Sequence, residues 1–392
     1  MGKAIALFRM GEEPISNGMN ILGAHIDSPR LDLKQNPLYE NEEFAYLDTH
    51  YYGGIKKYQW VTIPLAIHGV IVKKDGTVVN VNIGEKDEDP VFVITDLLIH
   101  LASKQMDKKA AGVVEGENLD LLIGSRPIEQ DESLEKKEKE AVKANVMNLL
   151  KEYYDVEEED FISAELEIVP AGKARDCGFD RSIVLAYGQD DRVCAFTSLF
   201  AMLDVEKTER TACCILVDKE EIGSVGATGM HSRFFENIVA ELVALTEGES
   251  DLKVRRALMN STMLSSDVSA AYDPMYAEVF EKRSSAFFGK GLVFNKFTGS
   301  RGKSGSNDAN AEYLAKIRQA MDSQDVSYQF AELGKVDAGG GGTIAYIMAN
   351  YGMEVIDSGV AVLSMHAPWE ATSKADVYEA YKGYKAFIEE MK

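Results

Sequence analysis

The sequence is poor in the residues on which many other chemistries depend. Its four cysteines, Cys177, Cys194, Cys213 and Cys214, form no Cys-x-x-Cys pair. Three of them stand in apolar strand-like or helix-like surroundings, which predicts buried thiols and no disulfide. Positive charge is also scarce: Lys and Arg total 42 against 64 Asp and Glu, a formal net charge of -22. Nucleic acid and anionic membrane surfaces would repel such a chain, whereas cations would not. No apolar run approaches the roughly 18 residues of a membrane span. No basic-then-apolar amino terminus announces a signal peptide, so the expected location is the cytoplasm. A serine-hydrolase elbow of the form Gly-x-Ser-x-Gly is missing from the strand ends. Residues 302–304, Gly-Lys-Ser, imitate the close of a phosphate-binding loop, but Phe297 stands where that pattern needs glycine. Neither an internal repeat nor a low-complexity segment is found.

What is present is a chain of 392 residues with 45% hydrophobic content, enough for two domains, one inserted in the other. Short apolar runs at 4–8, 20–24, 212–217, 262–266, 292–294, 327–333 and 360–365 read as strands. Segments at 193–203, 229–245, 308–321 and 374–392 read as helices. The alternation predicts an α/β domain, a mixed, mostly parallel sheet flanked by helices. The segment from about Asn36 to Ala186 has a different texture. Strand-like runs at 60–72 and 165–170, a hairpin turn at 73–76 and period-two alternation over 77–83 predict an inserted β-rich domain. A short helix is expected at 96–104 and a charged amphipathic one at 132–154, its charge run a solvated face.

Several strands of the larger domain end in polar groups. The run 212–217 stops at Asp218, Lys219, Glu220 and Glu221 before a glycine-rich turn, and 20–24 stops at His25 and Asp27. Asp190 and Asp191 follow another strand, Asp267 follows 262–266, and His366 follows 360–365. In open α/β sheets, ligands bind at this carboxyl edge. Each group alone has an ordinary reading as a solvated loop or a capped turn. Together, two histidines and several carboxylates are costly to gather at one edge without cations between them. Two divalent ions about 3.5–4 Å apart, each taking His nitrogen and carboxylate oxygen around a bridging carboxylate, answer that need, and zinc accepts this mixture. Of two adjacent carboxylates, one can hold a metal while the other handles a proton; the residues alone do not assign Glu220 and Glu221. The glycine-rich turn at 337–344 opens a helix and can present backbone N–H groups to a substrate oxygen, with Gly341 and Thr343 the candidate contacts. The ordinary alternative is a turn packed closely against neighbouring backbone. His50, His68, His100 and His231 lie away from these strand ends and read as core or surface histidines.

The motifs GAHIDSPRLDLK at 23–34, GQDDR at 188–192, DKEEIGSVGATG at 218–229, SSDVS at 265–269, DAGGGGTIA at 337–345 and SMHAPWE at 364–370 run through nearly the whole chain. In this combination and order the sequence resembles the M18 metallo-aminopeptidases, which include aspartyl aminopeptidase and the vacuolar aminopeptidase I type. The resemblance implies two zinc ions, with cobalt or manganese as alternatives. It makes Asp190 the bridging carboxylate, His366 and Glu221 the ligands of one ion, and His25 and Asp267 those of the other. It makes Glu220 the general base and Asp27 the carboxylate that orients His25. It also implies that residues 38–182 are a dimerisation domain inserted in a catalytic domain of residues 1–37 and 183–392, that dimers build a closed dodecamer, and that His100 reaches into the neighbouring subunit's active site. Lys296 sits near where acid-selective relatives carry a basic residue, which implies a preference for amino-terminal Asp or Glu; otherwise it is a surface lysine. Two departures stand out. Relatives usually carry more residues before the first histidine ligand, which predicts a late start for this chain. Asp191 stands where relatives often carry Asn, adding negative charge beside the metals.

The expected activity is removal of amino-terminal residues from peptides by metal-activated water. Two other readings remain: a non-catalytic assembly protein of the same fold, and a related metal-dependent amidohydrolase acting on acylated amino acids.

Overall fold

The computed structural model describes residues 2–129 and 139–392. The chain divides into two compact units, Met1–Ser28 with Arg175–Met365 and Trp369–Lys392, and Pro29–Ala174 with His366–Pro368. Strands β1 (Ile5–Arg9) and β2 (Met19–His25) open the first unit. The second contains β3 (Arg30–Asn41), β4 (Phe44–Tyr52), β5 (Leu65–Val72), β6 (Val78–Ile83), β7 (Leu121–Gly124) and β8 (Ala164–Pro170). The chain then returns to the first through β9 (Arg175–Cys177), β10 (Ile183–Ala186), β11 (Thr211–Val217), β12 (Thr262–Ser266) and β13 (Ser269–Ala270). It finishes with β14 (Leu292–Asn295), β15 (Tyr328–Phe330), β16 (Glu354–Gly359), β17 (Ala361–Leu363) and β18 (Glu370–Ser373). Helices α1 (Ser103–Met106), α2 (Ala110–Val113) and α3 (Ala141–Tyr154) lie in the second unit. The first holds α4 (Gln189–Asp204), α5 (Phe234–Glu247), α6 (Asp251–Met259), α7 (Ala311–Ser323), α8 (Ala345–Ala349) and α9 (Lys374–Glu390).

The first unit is organised by a sheet of order β1-β11-β2-β12-β16-β14-β15. Strands β11, β2, β12 and β16 run parallel to their neighbours, as do β14 and β15, while β1 and the β14–β16 pair are antiparallel. This is the mixed, mostly parallel sheet expected from the sequence. A parallel sheet is covered on both faces, so its strands must be apolar at odd and even positions alike. Ile21, Ile215, Met263 and Val355 enter one core with Val239 and Val243 of α5, Ala257 of α6 and Ile347 of α8. Their sequence neighbours Leu22, Leu216, Leu264 and Ile356 enter the other, with Ala201 of α4, Ile317 of α7 and Phe387 of α9. Leu264 is fully buried in a central strand, so Leu264→Ala is expected to cost about 2–5 kcal/mol. A smaller sheet of order β13-β17-β18-β10-β9 completes the unit, with β17 and β18 paired antiparallel around residues 364–369. Helix α5 begins at Phe234 rather than at residue 229, because the 218–229 turn closes first: the Asp218 N–H donates to Thr228 O at 3.1 Å, and the Thr228 hydroxyl to Asp218 Oδ2 at 2.9 Å.

The second unit is an antiparallel sheet of order β6-β5-β8-β3-β4-β7, with α3 packed on β3, β4 and β7. The β3–β4 hairpin is absent from the sequence reading because its two turn residues are Glu42 and Glu43. Both adopt positive φ, 47° and 65°, where a hairpin turn usually announces itself with Asn-Gly or Asp-Gly. Within the run 60–72, β5 starts only at Leu65; Thr62 turns at φ 61° and Pro64 precedes the strand. The helix expected at 96–104 is a 3-10 turn at Ile99–Leu101 followed by the short α1. Of the helix expected at 132–154, α3 covers Ala141–Tyr154, and residues 132–138 lie outside the described residues. Among the described residues no helix is long and apolar enough to cross a membrane.

Candidate active site

The carboxyl edge of the large sheet gathers the groups that the sequence reading singled out in the first unit. Strand register explains how. Val217 at the end of β11 lies opposite His25 at the end of β2, and Ser265 of β12 lies opposite Gly23. Glu220 and Glu221, three and four residues past Val217, therefore emerge on one side of His25, and Asp267 on the other. Glu220–Ile222 form a single 3-10 turn between two left-handed residues, Lys219 (φ 71°) and Gly223 (φ 95°). Asp190 and Asp191 stand at the amino end of α4, buried to within 3% of full coverage. Asp267 leaves β12 with its N–H donating to Ser358 O at 3.0 Å. Its carbonyl passes so close to Gly359 that a Cβ there would meet it at 1.9 Å, so this approach requires glycine.

Ligand-type atoms of His25, Asp190 and Asp267 lie within 4.8 Å of one another, and so do those of His25, Glu220 and Glu221. His25 Nε2 is 3.2 Å from Asp190 Oδ1 and 3.9 Å from Asp267 Oδ1. Its other nitrogen, Nδ1, is 3.0 Å from Asp27 O and 3.4 Å from Asp27 Oδ1. With Nδ1–H donating on the Asp27 side, Nε2 faces the carboxylates, where a metal would take up its lone pair. Asp27 has a second task. Its carboxylate accepts the Glu220 and Glu221 N–H groups at 3.1 and 3.2 Å, so one side chain orients both the histidine and the two glutamates.

The electrostatics of this pocket are those of an anion cluster. Burial disfavours a charged His25, but the hydrogen-bonding carboxylates of Asp190 and Asp27 outweigh it and raise the imidazole well above its usual range. Burial pushes Asp267 well up, with the carboxylates of Asp191, Glu220 and Asp190 adding to it against the pull of His25. Burial likewise pushes up Asp191 and raises Asp357 of β16 to about 7. A dication held by His25 and Asp267 would oppose the rise at both. The donor set of one imidazole nitrogen and several carboxylate oxygens, converging and buried or half-buried, fits zinc.

Supporting residues that the sequence reading quoted without a role lie around Asp190. The Asp190 N–H donates to Glu370 Oε2 at 3.0 Å, and the Ser28 hydroxyl donates to Asp190 O at 2.7 Å. Gln189 Nε2 donates to Glu370 O at 2.6 Å and Thr372 donates to Gln189 Oε1, locking this support to β18. The only signal in the sequence was position: Ser28 and Glu370 fall inside the HIDS and APWE segments. Asp357 gave none, since it sits inside a strand, where a carboxylate carries no motif.

Thr343 donates to Asp357 Oδ1 at 2.6 Å, and the Gly299 N–H donates to Gly341 O at 2.6 Å. The close packing of the glycine turn is real: at Gly340, with φ 131°, a Cβ would meet Gly299 O at 1.9 Å. Lys296 is exposed just past β14. His366 is counted with the second unit, at φ 65°, its Nδ1 at 2.9 Å from Gly54 O. That contact favours the tautomer with its lone pair on Nε2. His100, expected by ordinary rules to be a core histidine, is exposed in the Ile99–Leu101 turn of the second unit.

A family model described as aminopeptidase I zinc metalloprotease (M18) matches residues 1–388. The chain belongs to the M18 family. This M18 chain is 65% identical over 387 residues to probable M18 family aminopeptidase 1 of Clostridium acetobutylicum, a match covering 99% of this chain and 82% of that one. The crystal structure of the M18 aminopeptidase from Thermotoga maritima superposes with a TM-score of 0.95 at 47% identity, over 99% of this chain and 84% of that one. The mApe1 dodecamer of S. cerevisiae, at 22% identity and a TM-score of 0.76 over 98% and 82% of the two chains, shares the fold. The M18 chain is thus a metallo-aminopeptidase, a hydrolase of the zinc metalloprotease class.

Proposed function

We propose that this M18 chain is a co-catalytic aminopeptidase holding two zinc ions and removing amino-terminal residues from peptides. The observation that carries the reading is the pair of donor groups centred on His25, one with Asp190 and Asp267 and one with Glu220 and Glu221. In this assignment His25 and Asp267 would hold one ion and Glu221 and His366 the other, with Asp190 shared between the two. Divalent ions there supply Lewis acidity at the scissile carbonyl and lower the pKa of water.

Glu220 accepts the proton of the attacking water and returns it to the departing amine. Its backbone N–H is fixed by Asp27, so the carboxylate starts from a defined position. Asp27 keeps His25 in the tautomer that leaves Nε2 to the metal. Gly341 and Thr343 present backbone to the substrate, and Lys296 is the candidate for contact with an acidic first residue. Residues 38–182 serve as the dimerisation domain, and twelve copies assemble as in the S. cerevisiae relative. The work is done in the cytoplasm.

His100 completes a neighbouring site. What supports this is the surface around it: Leu98, Ile99 and Leu101 are 58%, 63% and 71% exposed, a contiguous apolar segment of the kind that marks an interface. The experiment for the whole reading is a panel of aminoacyl arylamides with and without chelator, each paired with its N-acetyl derivative. Hydrolysis of only the free-amine substrates, lost on chelation, is expected. Equal cleavage of the acetylated forms makes the chain an amidohydrolase instead, and no cleavage at all fits the non-catalytic reading.

A further inference from the structure

A buried carboxylate in the middle of a strand needs a reason, and Asp357 has no part in the metal assignment above. It lies on β16, 3% exposed. Register places it opposite Ser265 of β12, and Ser265 opposite Gly23 of β2. Gly23 and Ser265 are each two residues short of a proposed ligand, His25 and Asp267. Since side chains on one face of a strand recur every second residue, Asp357 stands one row behind the ligand row on the same face. That face is the one covered by Ile344 and α8, because Val355, two residues earlier, packs in the same core as Ile344 and Ala345.

What Asp357 touches is the glycine-rich segment. Thr343 donates its hydroxyl to Asp357 Oδ1 at 2.6 Å and accepts the Ala345 N–H at 3.2 Å. The other end of the segment is tied by the Gly299 N–H to Gly341 O at 2.6 Å. Residues 341–343 are therefore held at both ends, against the 299–300 loop on one side and against the sheet edge on the other. Glycines leave such a segment without side-chain packing of its own, and its backbone is costly to order without anchors.

We propose that Asp357 is a positioning residue of the peptidase reaction: through Thr343 it fixes the 341–343 backbone beside the ligand row, where the substrate's first residue is held. The inference rests on the aminopeptidase reading. An anchoring role predicts that the hydrogen-bond acceptor matters and the negative charge does not, so Asn should replace Asp and Ala should not. It also predicts that Asp357 and Thr343 act as one unit.

The test measures kcat, KM and bound metal for D357A, D357N, T343V and the D357A/T343V double variant with a neutral aminoacyl arylamide. D357A and T343V should each lose about tenfold or more in kcat/KM, mainly through KM, with metal content unchanged. D357N should restore most of what D357A loses, and the double variant should be no worse than the worse single. Additive losses, failure of D357N to rescue, normal kcat/KM in T343V, or loss of metal in D357A each overturn the assignment. If the unaltered chain hydrolyses no arylamide, the aminopeptidase reading itself falls and takes this inference with it.

Discussion

His25 and His100 are both histidines in apolar stretches of the chain, and the structure treats them oppositely. His25 closes a central strand, 2% exposed, with each ring nitrogen facing a carboxylate. Its surroundings explain it within one chain. His100 stands in an exposed turn between Ile99, at 63%, and Leu101, at 71% exposure, and nothing within one unit explains why three large apolar side chains surround it in water. The contrast teaches that burial and hydrogen bonding within the chain account for His25, whereas the role proposed for His100 depends on what covers its surface.

The sharpest break of that contrast lies in the adjacent glutamates beside His25. Glu220→Gln should keep the metals and lower kcat by about 10²–10⁴-fold, the usual worth of a positioned general base. Glu221→Gln should lose metal affinity together with activity. Metal analysis and turnover of the two purified variants check this; equal metal content and equal activity would show that the roles are misassigned.

On the His100 side, if the imidazole donates to the oxyanion of the neighbouring site, His100→Ala should lower kcat by about 10²–10³-fold without altering metal content. Mixing dissociated His100→Ala and Glu220→Gln subunits should restore activity, because a mixed dimer has one site with an intact Glu220 and the partner's intact histidine. A His100→Ala protein with normal turnover returns the residue to an ordinary surface role. A milder version of the same break is Leu101→Glu, which should leave the metal site intact and shift sedimentation toward smaller species.

The smallest effect is a pH dependence of stability. Asp267, Asp191 and Asp357 have folded-state pKa values raised above the ordinary 3.8, to about 7 for Asp357. A raised folded pKa stabilises fully below the unfolded value, and the contribution is lost as pH rises through the folded one. His25, also raised, follows the same sign. The Tm gain on adding zinc to chelated protein should therefore grow between about pH 5 and about pH 8. A gain that is constant or shrinks over this range contradicts the anion-cluster account.

How legible all this was depends on the kind of signal. The large sheet was readable because two-sided burial makes runs such as Thr211–Val217 continuously apolar, and because charged residues follow those runs directly. The β3–β4 hairpin was not, because Glu42 and Glu43 occupy positive-φ positions without the residues that usually mark them. Asp190 was visible as half of an aspartate pair, but its setting at the amino end of α4, held by Glu370 and Ser28, depends on contacts across more than 150 residues of chain. His100 was misleading for the same reason: its apolar neighbours look like core in sequence and lie on the surface in the fold. Asp357 was invisible, since its partner Thr343 is identified only by the register of β16 against the sheet.

In the proposed reading, hydrolysis depends on two ions held at the His25 edge. Titrating zinc into chelated protein, while counting bound metal per chain and measuring arylamide turnover on the same samples, tests this dependence. Activity should be negligible without metal and reach its plateau as occupancy reaches two ions per chain. Full turnover with less than one ion bound, or two ions bound with no turnover, would contradict it.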